Sequence, residues 1–208
     1  MKTQLLVACI LLISACIKPQ ENVAQRKGVG GPCEGCEAIY EYGTHVLNEV
    51  DTLAGFLSSQ QQLKISGIIY KRDGKTPASD VLLYVYQTNE KGVYPQQKGA
   101  KGWEKRHGYI RGWIKTNAKG EYTLYTFRPA SYPNTTIPQH IHITVKETDK
   151  NEYYLDDFYF DDDPNLTDKI RNRKNFRGGS GIIKLTENNS MHEATRDFIL
   201  GLNIPNYD

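Results

Sequence analysis

The sequence predicts an all-β protein, an antiparallel sandwich of about seven to eight strands behind a short N-terminal extension. Three observations carry that prediction. Short runs rich in β-branched and aromatic residues alternate with period two, glycine-containing turn pairs separate them, and helical patterning is confined to residues 34–57. Fourteen tyrosines in 208 residues fit the same class, because tyrosine suits a half-buried pleated surface.

Taken in order, residues 63–70 form the first predicted strand and end at the Asp73-Gly74 turn, and residues 81–87 form the second, closed by Lys91-Gly92. Residues 112–116 and 121–127 flank the Lys119-Gly120 pair and read as a hairpin. A fifth strand, 140–146, follows Pro138 directly and alternates isoleucine with histidine. Residues 153–160 and 181–186 supply two more, and 198–204 an edge strand or a terminal turn. Tyr84, Tyr86, Tyr122 and Tyr125 are strand residues on this reading. Residues 44–57 hold the weak helical material, and seven short strands at this spacing favour a sandwich.

The first 16 residues are a separate device. Met1-Lys-Thr-Gln is a short basic start, residues 5–13 are apolar but too short to span a bilayer, and Ser14-Ala15-Cys16 follows. This reads as a bacterial lipoprotein signal in which Cys16 carries the lipid, the alternative being an ordinary secretory signal with an incidental cysteine. With Ile17 and Lys18 after it, the expectation is an exported chain anchored by acyl groups to the outer membrane or cell surface. Residues 17–32 are expected to be a flexible tether, and 33–208 one domain of about 175 residues, enough for a sizeable core. In an oxidising compartment Cys33 and Cys36 are expected to pair as a local disulfide; a thiol redox motif is the weaker reading, and no second cysteine pair exists to complete a zinc site. Cys9 would leave with the leader.

A net charge of +2, with lysine and arginine scattered among acids, argues against nucleic acid as a partner. No glycine-rich dinucleotide or P-loop pattern is present, and neither G-x-S-x-G nor H-E-x-x-H occurs. The acids at 156–157 and 161–163 are too compactly spaced for an EF-hand and read as a solvated turn.

The most informative stretch runs from Tyr132 through Pro133-Asn-Thr-Thr-Ile-Pro-Gln to His140-Ile-His142. Residues two apart on a strand share a face, so His140 and His142 project together while Ile141 and Ile143 turn away. A phenol close to two such imidazoles places three donors where one metal ion could hold them. Phenolate oxygen suits a hard ferric ion and imidazole adds borderline nitrogen.

The order Val85-Tyr-Gln-Thr-Asn-Glu-Lys-Gly-Val-Tyr94, then Thr116-Asn-Ala-Lys-Gly-Glu-Tyr through Arg128-Pro-Ala-Ser-Tyr132-Pro, then Pro138-Gln-His140-Ile-His142 resembles the intradiol ring-cleavage dioxygenases, which include the catechol and protocatechuate enzymes. The likeness spans residues 63–166. It implies iron(III) held by Tyr94, Tyr132, His140 and His142, an aromatic diol and dioxygen as reactants, and Tyr132 as the base that takes a diol proton. It implies no flavin, haem or nicotinamide. Tyr109 is the rival to Tyr94 for the first phenolate, and His107 is a loop residue or a partner behind the ligands, while His45 and His192 lie outside the motif.

Two departures stand out against that family. Its members commonly carry an arginine three residues before the first paired histidine, where this chain has Ile137; Arg111 is the preferred substitute as a catalytic cation and Arg128 the alternative. Seven residues separate Tyr132 from His140, a short loop that leaves an open pocket. The long helical region through which catechol dioxygenases dimerise is missing, so a monomer or weak oligomer is expected. Residues 67–81 also resemble prealbumin-like and carboxypeptidase-regulatory-like surface modules, which would make the chain a non-catalytic binding module.

Overall fold

Two sheets of six strands each face one another across an apolar core in the computed structural model, which describes residues 28–208. In chain order the strands are β1 Val50–Thr52, β2 Gln62–Tyr70, β3 Leu82–Tyr86, β4 Arg111–Lys115, β5 Glu121–Phe127, β6 His140–Lys146, β7 Tyr153–Tyr154, β8 Phe158–Phe160, β9 Ile182–Ile183, β10 Thr186–Asn188, β11 Met191–Thr195 and β12 Phe198–Ile199. The first sheet runs β1-β5-β2-β11-β10 with β12 also on β2, and the second runs β4-β3-β6-β8-β9 with β7 also on β6.

The sandwich and its β class match the expectation; the strictly antiparallel arrangement and the strand number do not. β1 on β5, β11 and β12 on β2, and β9 on β8 are parallel pairs, so both sheets are mixed. Twelve strands replace seven or eight, because the runs at 153–160 and 181–186 each break in two and β1 and β11 are added. The weak helical pattern at 44–57 gives no α-helix but β1 and a single 3-10 turn at Phe56–Ser58. The leader, Cys16 and the tether as far as residue 27 lie outside the described residues. Val29 and Gly30, expected as tether, donate backbone hydrogen bonds to Asn151 Oδ1 (2.8 Å) and to the Pro205 carbonyl (2.7 Å).

Period-two alternation decides which residues face the core. Leu83 and Val85 of β3, Ile141, Ile143 and Val145 of β6, and Leu63, Ile65 and Ile69 of β2 are all buried between the sheets. Their neighbours on β3 and β6 point to the outer face of the second sheet. There Tyr84 and Trp113 form a smaller cluster beneath the 3-10 helix Cys36–Tyr40, whose Ala38 carbonyl accepts from Trp113 Nε1 at 3.2 Å. Cys33 and Cys36 are joined as expected.

Gly67 is required by packing and not by its backbone angles. β11 and β12 both pair with β2, and the chain crosses from one to the other over Gly67, where a Cβ would lie 2.0 Å from the Arg196 carbonyl oxygen. That oxygen also accepts from the buried Tyr122 hydroxyl at 2.7 Å. Gly67→Ala therefore forces backbone apart and should cost about 3 kcal/mol, at the upper end for overpacking. Chemical denaturation checks this: an unchanged midpoint would mean that the crossing has slack.

Candidate metal centre

The antiparallel register of the second sheet lines up Arg111, Tyr86 and His142 across β4, β3 and β6 on its outer face, and sets His140 opposite Tyr159 of β8. Two loops bring the phenols to those histidines. The turn after β3 is shaped by the Asn89 side chain, which accepts from the backbone of Lys91 and Val93. It is stitched to the second loop by Thr88 Oγ1 donating to the Ala130 carbonyl and Ala130 N donating to Asn89. Gly92, at φ 74°, lets the loops meet, since a Cβ there would sit 2.0 Å from the Ser131 carbonyl. Tyr94 leaves the first loop and Tyr132 the second.

The four polar ends converge. Tyr94 Oη lies 2.5 Å from Tyr132 Oη and 2.9 Å from His142 Nε2, Tyr132 Oη lies 3.2 Å from both Nε2 atoms, and the two Nε2 atoms are 3.1 Å apart. These are separations of donors sharing one ion whose bonds run about 2 Å. The far side of each ring is also occupied. His140 Nδ1 meets the Pro138 carbonyl at 2.6 Å and His142 Nδ1 meets Asp157 Oδ1 at 3.1 Å. Both partners can only accept, so each Nδ1 carries the proton and each Nε2 is a bare lone pair aimed inward.

Electrostatics agree with that assignment. Burial, and then the His142 ring, push His140 below its ordinary value, so it is neutral. Burial works against the Asp157 charge, but its contact with His142 and the nearby Arg196 guanidinium outweigh it and hold the carboxyl below the usual range. Tyr94 is pushed up by burial and by the adjacent Tyr132, and Tyr132 is raised mainly by burial. Two phenol protons are then all that separates four electron-rich atoms. A cation taking their place satisfies every lone pair at once, which is why this donor set fits a hard trivalent ion.

Asp157 belongs with His140 and His142 as a potential ion-holding trio, yet its oxygen touches the outer nitrogen of His142 and not the converging side. It orients the ring. Asp157→Ala should lower metal affinity about 10- to 100-fold, the usual cost of losing such a partner. Metal titration checks it, and an unchanged affinity would show that the Tyr86 face alone fixes the ring.

Other sequence expectations sort cleanly. Tyr109 packs against the main core, leaving Tyr94 as the first phenol. Arg111 is not among the converging atoms: its guanidinium lies 2.6 Å from Glu41 and 3.7 Å from Glu104, with Tyr86 between it and His142 in the register. Arg128 is held bidentate by Asp162 at 2.8 Å and donates Nε to Gln139. Ile137 is exposed. The acidic run is only partly a solvated turn, since Asp163 is buried and accepts from the backbone of Gln139 and Asn165, fixing the entry to β6. Reasoning from sequence missed Asp157 and Tyr86, whose roles depend on which strands become neighbours.

Residues 41–201 match a family model described as Dioxygenase. The fold is similar to that of the dioxygenase domain of a dioxygenase carbohydrate-binding protein fusion from Streptomyces sp. SirexAA-E, at TM-score 0.56 and 22% identity over 81% of this chain and 95% of that one. It is similar too to hydroxyquinol 1,2-dioxygenase of Pseudomonas putida (TM-score 0.55, 19% identity, 75% of this chain) and catechol 1,2-dioxygenase of Pseudomonas arvilla (0.57, 16%, 84%). The match spans 62% and 61% of those two enzymes, about three fifths of their length. With the family match covering most of its length, the chain belongs to the intradiol ring-cleavage dioxygenase family.

Proposed function

We infer that the protein is a non-haem iron(III) dioxygenase that opens a catechol-type aromatic diol between its two hydroxyl-bearing carbons. The observation that carries this reading is the convergence of two phenol oxygens and two bare imidazole nitrogens within 2.5–3.2 Å. When bound, ferric iron would supply the Lewis acidity that favours a chelated, deprotonated diol and its reaction with dioxygen.

The residues of the chain divide the remaining work. Tyr94, His140 and His142 would keep the ion, with Pro138 and Asp157 holding both rings in the ligating tautomer. Tyr132 Oη would accept a diol proton. Its support is local: residues 133–137 beside it are exposed, so its phenol can swing, whereas Gly108 packs closely against the backbone of Tyr94 and Pro95. Neither Arg111 nor Arg128 joins them, because each is spent on carboxylates. Export on a lipid anchor at Cys16 is part of the same proposal, and Cys16→Ala should shift the protein out of the membrane fraction.

Loading the purified protein with iron(III) tests the central reading. Phenolate-to-iron charge transfer should colour it red to burgundy, Tyr132→Phe should shift that band, and catechol should be consumed with one equivalent of dioxygen. A colourless protein without stoichiometric metal overturns it.

A further inference from the structure

His142 is braced on a side that the metal reading does not use. Its ring lies on Tyr86 with centroids 4.4 Å apart and planes at 23°. Tyr86 lies flat on His107 at 3.9 Å and 7°, and His107 stacks on Trp103 at 5.1 Å. His107 is buried, and its Nδ1 is 2.9 Å from the Tyr84 hydroxyl, so the ring cannot turn freely. A column of rings therefore runs from the ligand toward the surface.

The outer end of that column is closed by the disulfide loop. Gly35 sits between Cys33 and Cys36 at φ 87°, so close that a Cβ would lie 2.8 Å from His107 Cε1 and Nε2 and 3.2 Å from Trp103. The same loop walls a cavity of about 280 Å³ whose other side is His142 and Asp157. Cys33 is partly exposed while Cys36 is buried, with its sulfur 3.7 Å from Thr144 Oγ1. Cys33 is thus the more exposed of the pair, and the Cys36 sulfur is seated beside β6 at Thr144, two residues from His142.

We propose that the Cys33–Cys36 loop and the ring column beneath it form a redox-breakable brace for His142, so that reduction of the disulfide loosens the metal centre. This rests on the metal-centre reading above. An external dithiol attacks the Cys33 sulfur, the S–S bond breaks, and Cys36 leaves as a thiolate and takes a proton. The second thiol of the reagent then frees Cys33. Two electrons and two protons pass to the cysteines and the dithiol becomes its own disulfide. Gly35 is then held only by the chain, the His107 and Tyr86 rings gain freedom, and His142 is less well ordered for its ion. His107 is a positioning residue on this account. Linkage makes the effect reciprocal: a tenfold tighter ion in the oxidised protein means a tenfold stronger disulfide in the metal-bound one, about 30 mV for a two-electron couple.

The probe is gallium(III), a redox-inert trivalent ion, titrated into the full chain before and after reduction by a phosphine while tyrosinate absorbance is followed. Reduction should weaken binding about threefold to tenfold, and the Cys33→Ser/Cys36→Ser double variant should reproduce that without reductant. His107→Ala should weaken binding about tenfold, the lower end of what lost outer partners cost, and erase the response to reduction. His107→Phe keeps a stacking ring and should restore most of both. If the parent binds gallium with a two-phenolate signal but equally well in both redox states, the brace is wrong and the metal centre stands. If the parent takes up neither gallium nor iron, the metal centre and the brace fail together.

Discussion

Replacing His142 by alanine should weaken iron binding about a hundredfold and oxygen uptake about a thousandfold while leaving the sandwich folded. His142 Nε2 touches all three other donors, Tyr94 Oη at 2.9 Å, Tyr132 Oη at 3.2 Å and His140 Nε2 at 3.1 Å, so its loss opens the cluster at one of its two most connected corners. A four-ligand structural ion binds with roughly 10–16 kcal/mol, so one ligand's share is about 3 kcal/mol, or two orders of magnitude in affinity. Turnover falls further, about a thousandfold, because the remaining three groups no longer fix where a diol would sit. The fold should tolerate the change, since His142 is half-buried on the outer face of its sheet while Ile141 and Ile143 beside it make the core contacts. His45→Ala is the matched control, an exposed histidine away from the cluster. Iron content and oxygen uptake of both variants decide the matter. A His142→Ala protein that keeps stoichiometric iron and its colour would show that the donors near it are not a metal site.

How much of this could be read from residues alone depends on how local the cause is. β5 and β6 match the predicted strands at both ends, because alternating Tyr122, Leu124 and Thr126, and Ile141, Ile143 and Val145, state which side is buried. The four converging donors were legible for a related reason: β6 fixes two of them by period, and the phenols occur in the order a known family uses. β11, by contrast, reads Met191-His-Glu-Ala-Thr195 without strict alternation, and what ties it into the sheet beyond its short partner β10 is parallel pairing with β2. Parallel pairing joins segments far apart in the chain, so no hairpin turn announces it. Asp157 looks like one more surface acid until the pairing of β8 with β6 carries it to His142. The expected catalytic role of Arg111 draws no support from its surroundings, because its charge is answered by Glu41 and Glu104.

That leaves a position where adding a charge should raise activity. The family resemblance implies an arginine three residues before the first paired histidine, opposite the negative charge that builds on the diol ring during attack. Here Ile137 stands there, 45% exposed, with only its backbone engaged, donating to Thr135 Oγ1. A longer side chain at that site displaces no core atom, so Ile137→Arg should fold as the parent does. A preorganised donor facing developing charge is worth about 10²–10³ in rate, and an exposed guanidinium on a short loop should give the lower part of that, about 10- to 100-fold. The gain belongs in kcat, since the carbanion exists in the transition state and not in the bound diol. Ile137→Lys should recover part of it, as a point charge without the planar fork, and Ile137→Met none. Steady-state oxygen uptake with catechol separates the outcomes. A lower KM with kcat unchanged would mean that the new cation merely attracts an anionic substrate, and equal effects from arginine and methionine would mean that reshaping the loop, not charge, is what matters.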